Sequence, residues 1–265
     1  MMKELLKNLL FNCPSLLADL MRLKSNWNRD KYIFLKLLSK GDNVLDVGGN
    51  IGDYCTTFAK VVGSSGQVHT FEPVPTTFET LKETVARKRL GNVTLNQMAV
   101  TNESGQIEIH MPGDDHARPS IQKHSKESWD QDETIHTFSC EATTLEKYAL
   151  EKEISRLDFI KIDVEGAEFL VLTGGKAVLR SCAPILFFEM WEPFMKDFNT
   201  SAKGFCQLLR DTGYDQFLIV QEDLHPLSNL EDELPQYLAG GILNLVCGKK
   251  SKHAKRFASI KTRHM

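Results

Sequence analysis

A chain of 265 residues, 42% hydrophobic and 25% charged, is long enough to bury a core and has the composition of an ordinary globular protein. A net charge of −3 argues against wholesale binding of nucleic acid, and no apolar run reaches the roughly 18 residues of a membrane span. Six scattered cysteines with no C-x-x-C pair fit reduced thiols in a cytoplasmic protein better than a disulfide framework.

Residues 1–40 read as a helical extension. Leu5, Leu6, Leu9 and Leu10, then Leu16, Leu17, Leu20 and Met21, recur at helical spacing on either side of Pro14. Helices that cap a sheet or cover an acceptor pocket are the favoured reading; a membrane-surface helix or a contact in a homodimer is the competing one. Lys7 and Asp19 interrupt the apolar stretches too early for a signal peptide. Tyr32 to Leu38 adds one or two more apolar helical turns.

Val44-Leu45-Asp46-Val47 then reads as a strand buried on both faces. Gly48, Gly49 and Gly52 form a turn that leads into a helix at Asp53. A turn without bulky side chains lets a ligand approach and is expected to aim backbone N–H groups at it. The next strand, 67–72, ends in Glu72, 20 positions beyond Gly52, where an acid commonly hydrogen-bonds the two hydroxyls of a ribose. Turn and acid together point to an adenosine-type cofactor on an α/β sheet. The nicotinamide fingerprint G-x-G-x-x-G is not matched by Gly48-Gly49-Asn50-Ile51-Gly52, which disfavours a dehydrogenase.

Strand–helix alternation continues. Pro73 and Pro75 end the second strand and start a helix, and the third strand is placed at Val93 to Val100. Between 101 and 145 the pattern breaks. Residues 106–111 and 134–139 alternate like half-exposed strands around a polar loop carrying His116 and Arg118. This is read as a β-hairpin insertion whose tip covers the acceptor site. The fourth strand, 157–163, ends in Asp163, with Glu165-Gly166 opening the next helix; the fifth, 184–189, ends in Glu189. Ser201 is placed as the cap of a helix ending at Gly213. Strands at 216–220 and 242–247 close the sheet. The acidic stretch Glu222 to Leu238 reads as loop, so the last strand is reached without a crossover helix and pairs antiparallel. Residues 249–265 carry seven Lys and Arg and no acid, so removing that +7 from −3 leaves the body at −10. They read as a solvated, disordered tail; tracking of RNA phosphates by the tail is the weaker alternative.

The turn D-x-G-x-N-x-G at Asp46–Gly52, followed by Phe71-Glu72-Pro73, resembles S-adenosylmethionine (SAM)-dependent methyltransferases. The block Asp158-Phe-Ile-Lys-Ile-Asp-Val-Glu-Gly-Ala-Glu168 narrows the resemblance to the FkbM family, over about residues 43–248. It implies a class I SAM-methyltransferase fold: a Rossmann-like doubly wound α/β sheet in the order 3-2-1-4-5-7-6, mostly parallel with an antiparallel last strand. It also implies a domain at 41–248 containing the insertion, in which Ser120-Ile121 matches a small Ser-containing motif. On this resemblance Asp46, Gly48, Asn50 and Gly52 hold the methionine part of SAM, Glu72 takes the ribose, and Met98 and Ala99 lie near the adenine. Asp163 and Glu165 lie nearest the transferred methyl. Asp163 is then a general base for a hydroxyl acceptor, a cation ligand together with Glu165 or Glu189, or a contact for the methionine ammonium. His110, His116 and His136 are alternative bases, and Lys161 is expected to be a satisfied strand residue. The family departs here at Cys55, where Thr or Ser is usual. The implied activity is O-methylation of a small-molecule or glycan acceptor; a non-catalytic SAM-binding protein is the other class.

Overall fold

The computed structural model describes residues 11–24, 26–113, 119–122, 124 and 134–262. The predicted helical leucines Leu5 to Leu10, and His116 and Arg118, lie outside them.

Among the described residues two helices come first, α1 (Pro14–Arg22) and α2 (Arg29–Leu37). Asn28 caps α2 by accepting a hydrogen bond from the Lys31 amide. Strand β1 (Asn43–Val47) feeds α3 (Asp53–Val62), and β2 (Gln67–Phe71) feeds α4 (Pro75–Arg87), which has proline in its first turn as expected. Then come β3 (Val93–Asn96), β4 (Ala99–Val100), β5 (Gly105–Pro112), β6 (Ile135–Thr143), α5 (Leu145–Glu151) and β7 (Phe159–Ile162). The glycine pair Gly174-Gly175 separates α6 (Glu168–Thr173) from α7 (Lys176–Ser181). The chain continues through β8 (Ile185–Met190), α8 (Glu192–Asp197), α9 (Ala202–Asp211), β9 (Gln216–Val220), β10 (Leu224–Leu227), α10 (Leu230–Leu238), β11 (Leu243–Gly248) and α11 (Lys250–Phe257).

The main sheet has the order β10-β9-β11-β8-β7-β1-β2-β3. From β3 to β8 the pairs are parallel, while β11 runs antiparallel to both β8 and β9. This is the predicted order, with β10 added at one edge. Alternate strand residues sort to two faces. Leu45, Val47, Ile162 and Phe188 join one core layer, and Val44, Phe159 and Phe187 join the other, under α2 and α3. Phe34 of α2 sits in the second layer with the rings of Tyr54, Phe58, Phe159 and Phe187 at 4.8–5.8 Å. Emptying such a site costs about 3–5 kcal/mol. The N-terminal extension is therefore core, at least from α2 onward.

Three expectations are corrected. The third strand is two: β3 stays in the main sheet, and β4 pairs with β6 of the hairpin in a second sheet, β4-β6-β5. Asn96 marks the break, donating to the Thr70 carbonyl at 3.0 Å and accepting from the Tyr148 hydroxyl at 3.1 Å. Those bonds hold the end of β3 while the chain turns away. The stretch 222–238 is not loop but β10 and α10; Leu230, Leu234 and Leu238 are buried at helical spacing, a periodicity that its acidic residues masked. The tail is not solvated at its start. In α11 His253 and Phe257 are buried, and Arg256 grips Asp42 at 2.7 and 2.8 Å. Counting charges overlooked that two of these eight residues form an inward face.

Candidate active site

The turn after β1 is closed by packing. Gly48 has φ +81°, and a Cβ there would lie 1.8 Å from the Asp163 carbonyl oxygen. At Gly49 a Cβ would meet Thr70 Oγ1 at 2.1 Å. Only glycine lets β1, β2 and β7 close on each other here. The turn's amides are not aimed at a ligand, contrary to expectation. Gly48 and Gly49 both donate to the Phe71 carbonyl (3.1 and 2.8 Å), Gly52 to the Gly49 carbonyl (3.0 Å), and Ile51 to Asn50 Oδ1 (2.7 Å). The Asn50 amide donates to Glu72 Oε2 at 2.9 Å. A turn this tight satisfies itself, so it offers a ligand its surface rather than its donors.

Glu72 is buried and holds the turn in place: Oε2 receives Asn50, and Oε1 receives the Val74 amide at 3.0 Å. Burial pushes its carboxyl up to about 7 in spite of those two amides. A carboxylate has about four acceptor sites, so two remain for a pair of hydroxyls.

Beside these residues lies a cleft of about 670 Å³. Along its rim Glu72 follows β2 and Asp163 follows β7, with Gly48 between them at the end of β1; Asn50, Met98, Ala99 and Glu165 also line it. The hairpin closes it with Ile109, and the described part of the connection between β5 and β6 adds Pro119 and Ile121. An acid with spare acceptor sites at one end and an apolar side beside it fit a ribose and an adenine.

Asp46, Lys161 and Asp163 form a linked set under the turn. Lys161 is buried; its Nζ donates to the Gly48 carbonyl at 2.6 Å and lies 3.7 Å from Asp46 and 3.2 Å from Asp163. Burial pulls its pKa down, but the two acids outweigh that and leave it raised. Asp46 is fully buried, accepts from Thr70 Oγ1 at 3.3 Å, and is raised by burial to about 6. It supports the turn from below and is not among the cleft's lining residues, so direct contact with a cofactor does not follow from its placement. Gly52 likewise caps α3 and packs on Leu81 and Thr84 rather than lining the cleft. Asp163 keeps 39% of its side chain exposed, toward the cleft it lines.

Acids crowd this end. Burial first, then Asp163 and Glu189, push Glu165 up to about 9. Burial and Asp163 push Glu189 up to about 8. Glu168, buried at the start of α6, receives the Val164 and Gly166 amides at 2.9 and 3.3 Å and is raised by burial to about 7. Glu165 itself sits at φ +53° and Gly166 at +101°, where a Cβ would strike Phe198 at 2.7 Å. The Glu165 carbonyl holds the strained loop to the insertion: it accepts from Ser120 Oγ at 2.9 Å and from His124 Nε2 at 3.0 Å. The other ring nitrogen of His124 lies 2.9 Å from Asp197 of α8, and the ring packs 4.2 Å from Phe194.

Of the predicted residues, Gly48, Asn50, Glu72, Ala99, Asp163 and Glu165 line one cleft, as does Met98. His110 bonds Thr137 across the hairpin and His136 is exposed; neither lines the cleft. Asp30, Tyr54, Glu168 and His124 were not singled out. Glu168 carried a signal, lying three residues after Glu165 at a helix start; His124, alone in a polar loop, carried none.

Residues 46–215 match the methyltransferase FkbM domain. Methyltransferase 1 of Beauveria bassiana is 27% identical over 143 residues, covering 49% of this chain and 57% of that one. The 2-O-methyltransferase NoeI of Sinorhizobium fredii is 27% identical over 162 residues, covering 55% and 62%. The 31-O-demethyl-FK506 methyltransferase FkbM of Streptomyces tacrolimicus is 40% identical over 68 residues, covering 26% and 25%. Each match thus spans less than two thirds of the relative. The solved methyltransferase FkbM of Methylobacillus flagellatus KT shares the fold at a TM-score of 0.51 and 14% identity, over 79% of this chain and 44% of that one. The matched domain, the sheet order and the cleft agree: this chain belongs to the FkbM methyltransferase family, with a class I SAM-methyltransferase fold and SAM as its expected cofactor.

Proposed function

We propose that the chain transfers the methyl group of SAM to a hydroxyl of a small acceptor, a sugar or glycan intermediate. The observation that carries the reading is Asp163, a cleft-facing carboxylate at the end of β7, held 3.2 Å from Lys161 and two strands along the rim from Glu72. Two relatives named as O-methyltransferases support the choice of oxygen. Bound SAM supplies an electrophilic methyl. Glu72 takes the ribose hydroxyls, Met98 and Ala99 flank the adenine, and Gly48 and Asn50 bound the methionine end. Asp163 would accept the proton of the acceptor hydroxyl as its oxygen takes the methyl, with S-adenosylhomocysteine as the leaving product. Glu165, raised to about 9, is a neutral carboxyl at pH 7 and donates a hydrogen bond to the acceptor instead of competing for its proton. Holding the partners in line supplies about 7 kcal/mol or more of the barrier reduction.

The test is calorimetry with SAM and S-adenosylhomocysteine (SAH) on the chain and on Glu72→Ala, followed by labelled-methyl transfer to sugars. Micromolar binding that disappears in the variant is expected. A folded chain that binds neither compound, with acceptors present or absent, would sink the reading.

A further inference from the structure

A polar row continues along the rim beyond Asp163. The register sets Ile162 beside Phe188 and Phe188 beside Leu245. The next position along these three strands is Asp163, Glu189 and Asn244, with Glu189 and Asn244 direct partners. Alternation turns all three to the face that carries Lys161, the face covered by α2 and α3. Two strand spacings separate Asp163 from Asn244, about 10 Å.

The row ends in a recess of about 720 Å³, separate from the cofactor cleft and lined among others by Trp27, Asn28, Asp30, Gln221, Ile242 and Asn244. The N-terminal segment reaches this rim through Asp30, which accepts from the Tyr54 hydroxyl at 2.9 Å and from Asn244 Nδ2 at 3.3 Å. The recess combines amide donors and acceptors, a carboxylate and an indole. That mixture suits vicinal hydroxyls on an apolar ring face. Charge selects further. Asp30 lines the recess, Asp163 and Glu165 line the cleft, and Glu189 lies between them in the row. Of the nearby cations, Lys161 is held by Gly48 O, Asp46 and Asp163; Arg22 donates to the Lys261 carbonyl and lies 5.6 Å from the Trp27 ring; Arg29 lines the recess, its Nε donating to the Glu222 carbonyl and its guanidinium 5.3 Å from the Trp27 ring. An anionic acceptor would find Arg29 set against Asp30 in the recess, with Glu165 and Glu189 as neutral carboxyls at pH 7, and so no net positive charge to draw it.

We infer that this recess is a distal acceptor subsite for the second ring of a neutral glycoside, whose first ring presents its hydroxyl to Asp163 along the Asp163–Glu189–Asn244 row. The inference rests on the hydroxyl-methylating reading above and adds to it the length and charge of the acceptor. A span of two strands exceeds one pyranose ring and accommodates two.

The experiment titrates the full chain, with and without SAH, with cellobiose, maltose, lactose and N,N′-diacetylchitobiose. Their component monosaccharides and cellobiouronic acid serve as comparators. At least one neutral disaccharide is expected to bind tenfold or more tighter than its monosaccharide and than the uronate. Trp27→Ala should remove that advantage, and Trp27→Phe should keep most of it. Ile242→Trp, at a half-exposed position on the recess, fills the space with little risk to folding and should also remove it, leaving SAH affinity unchanged. The subsite is overturned if no neutral disaccharide binds, if disaccharide and monosaccharide bind alike, if the uronate binds best, or if the advantage survives Ile242→Trp. A disaccharide advantage in a chain that fails to bind SAH would support the recess and break the methyltransferase reading, so the two failures are distinct.

Discussion

The two ends of the cleft are built by different means. The Gly48–Glu72 end comes from one continuous strand–turn–helix–strand unit, and its geometry is fixed by backbone: glycines that admit no Cβ, amides closed on Phe71, and a carboxylate gripping two N–H groups. The Asp163–Glu165 end is assembled from β7, the hairpin insertion and α8, and side chains hold it: Lys161, Ser120, His124 and Asp197. Where every family member must hold the same cofactor, backbone suffices and little can vary. Where acceptors differ, the work falls to exchangeable side chains from remote segments. The two ends should accordingly fail in different ways.

The largest effect belongs to the backbone end. Gly48→Ala puts a methyl 1.8 Å from the Asp163 carbonyl at a φ of +81°, and should cost on the order of 4 kcal/mol in urea unfolding and abolish SAH binding. Gly91→Ala, with nothing within 4 Å of its added methyl, is the control and should stay within about 0.5 kcal/mol. Asp163→Asn tests the other end. If it is the base, kcat falls about 10²- to 10⁴-fold while SAH affinity holds within about threefold; a parallel loss of SAH affinity would instead make it a cofactor ligand. Glu72→Gln comes next. The amide keeps one acceptor oxygen for two donors, so about 1–3 kcal/mol of stability should go, together with about tenfold in SAH affinity. His124→Ala removes one of the two bonds on the Glu165 carbonyl, and should raise the acceptor KM several-fold with SAH affinity unmoved. A change in SAH affinity alone would break the division between the two ends.

The same contrast explains what could be read from the chain alone. The turn, Glu72 and the strand order were legible because they depend on residues close in sequence and on the alternation of strands with helices. Lys161 was read as a satisfied strand residue and is one, but its partner Asp46 was hidden, lying 115 positions away and meeting it through the β1–β7 pairing. Asp30 and His124 were hidden for the same reason: each matters through long-range hydrogen bonds, which leave no periodicity behind. The direction of the turn's amides was misjudged because a glycine-rich stretch specifies which backbone angles are open, not which acceptor is nearest. The tail and residues 222–238 were misread on charge, which describes a helix's outer face and says nothing of Phe257 or Leu234 on the inner one.

The smallest effect is a slope rather than a loss, and it isolates the acids of the side-chain end. A carboxyl raised in the folded state keeps its proton while the unfolded chain has lost its own. Between the two pKa values the folded state therefore binds more protons, and stability falls as pH rises. Asp46 (about 6), Glu72 and Glu168 (about 7) complete their share of that fall by neutral pH. Between pH 7 and 9 the fall comes from Glu189 (about 8) and Glu165 (about 9). Lys161, raised above its ordinary value, acts only at higher pH, where its contribution is lost. Glu165→Gln should therefore leave the melting temperature at pH 5 almost unchanged and flatten its decline from pH 7 to 9, with Glu189 supplying what remains. Glu72→Gln should flatten the decline below pH 7 instead. If Glu165→Gln lowers the melting temperature equally at every pH, its carboxyl is not held neutral by its neighbours, and the hydrogen-bond donor assigned to it beside Asp163 is lost with it.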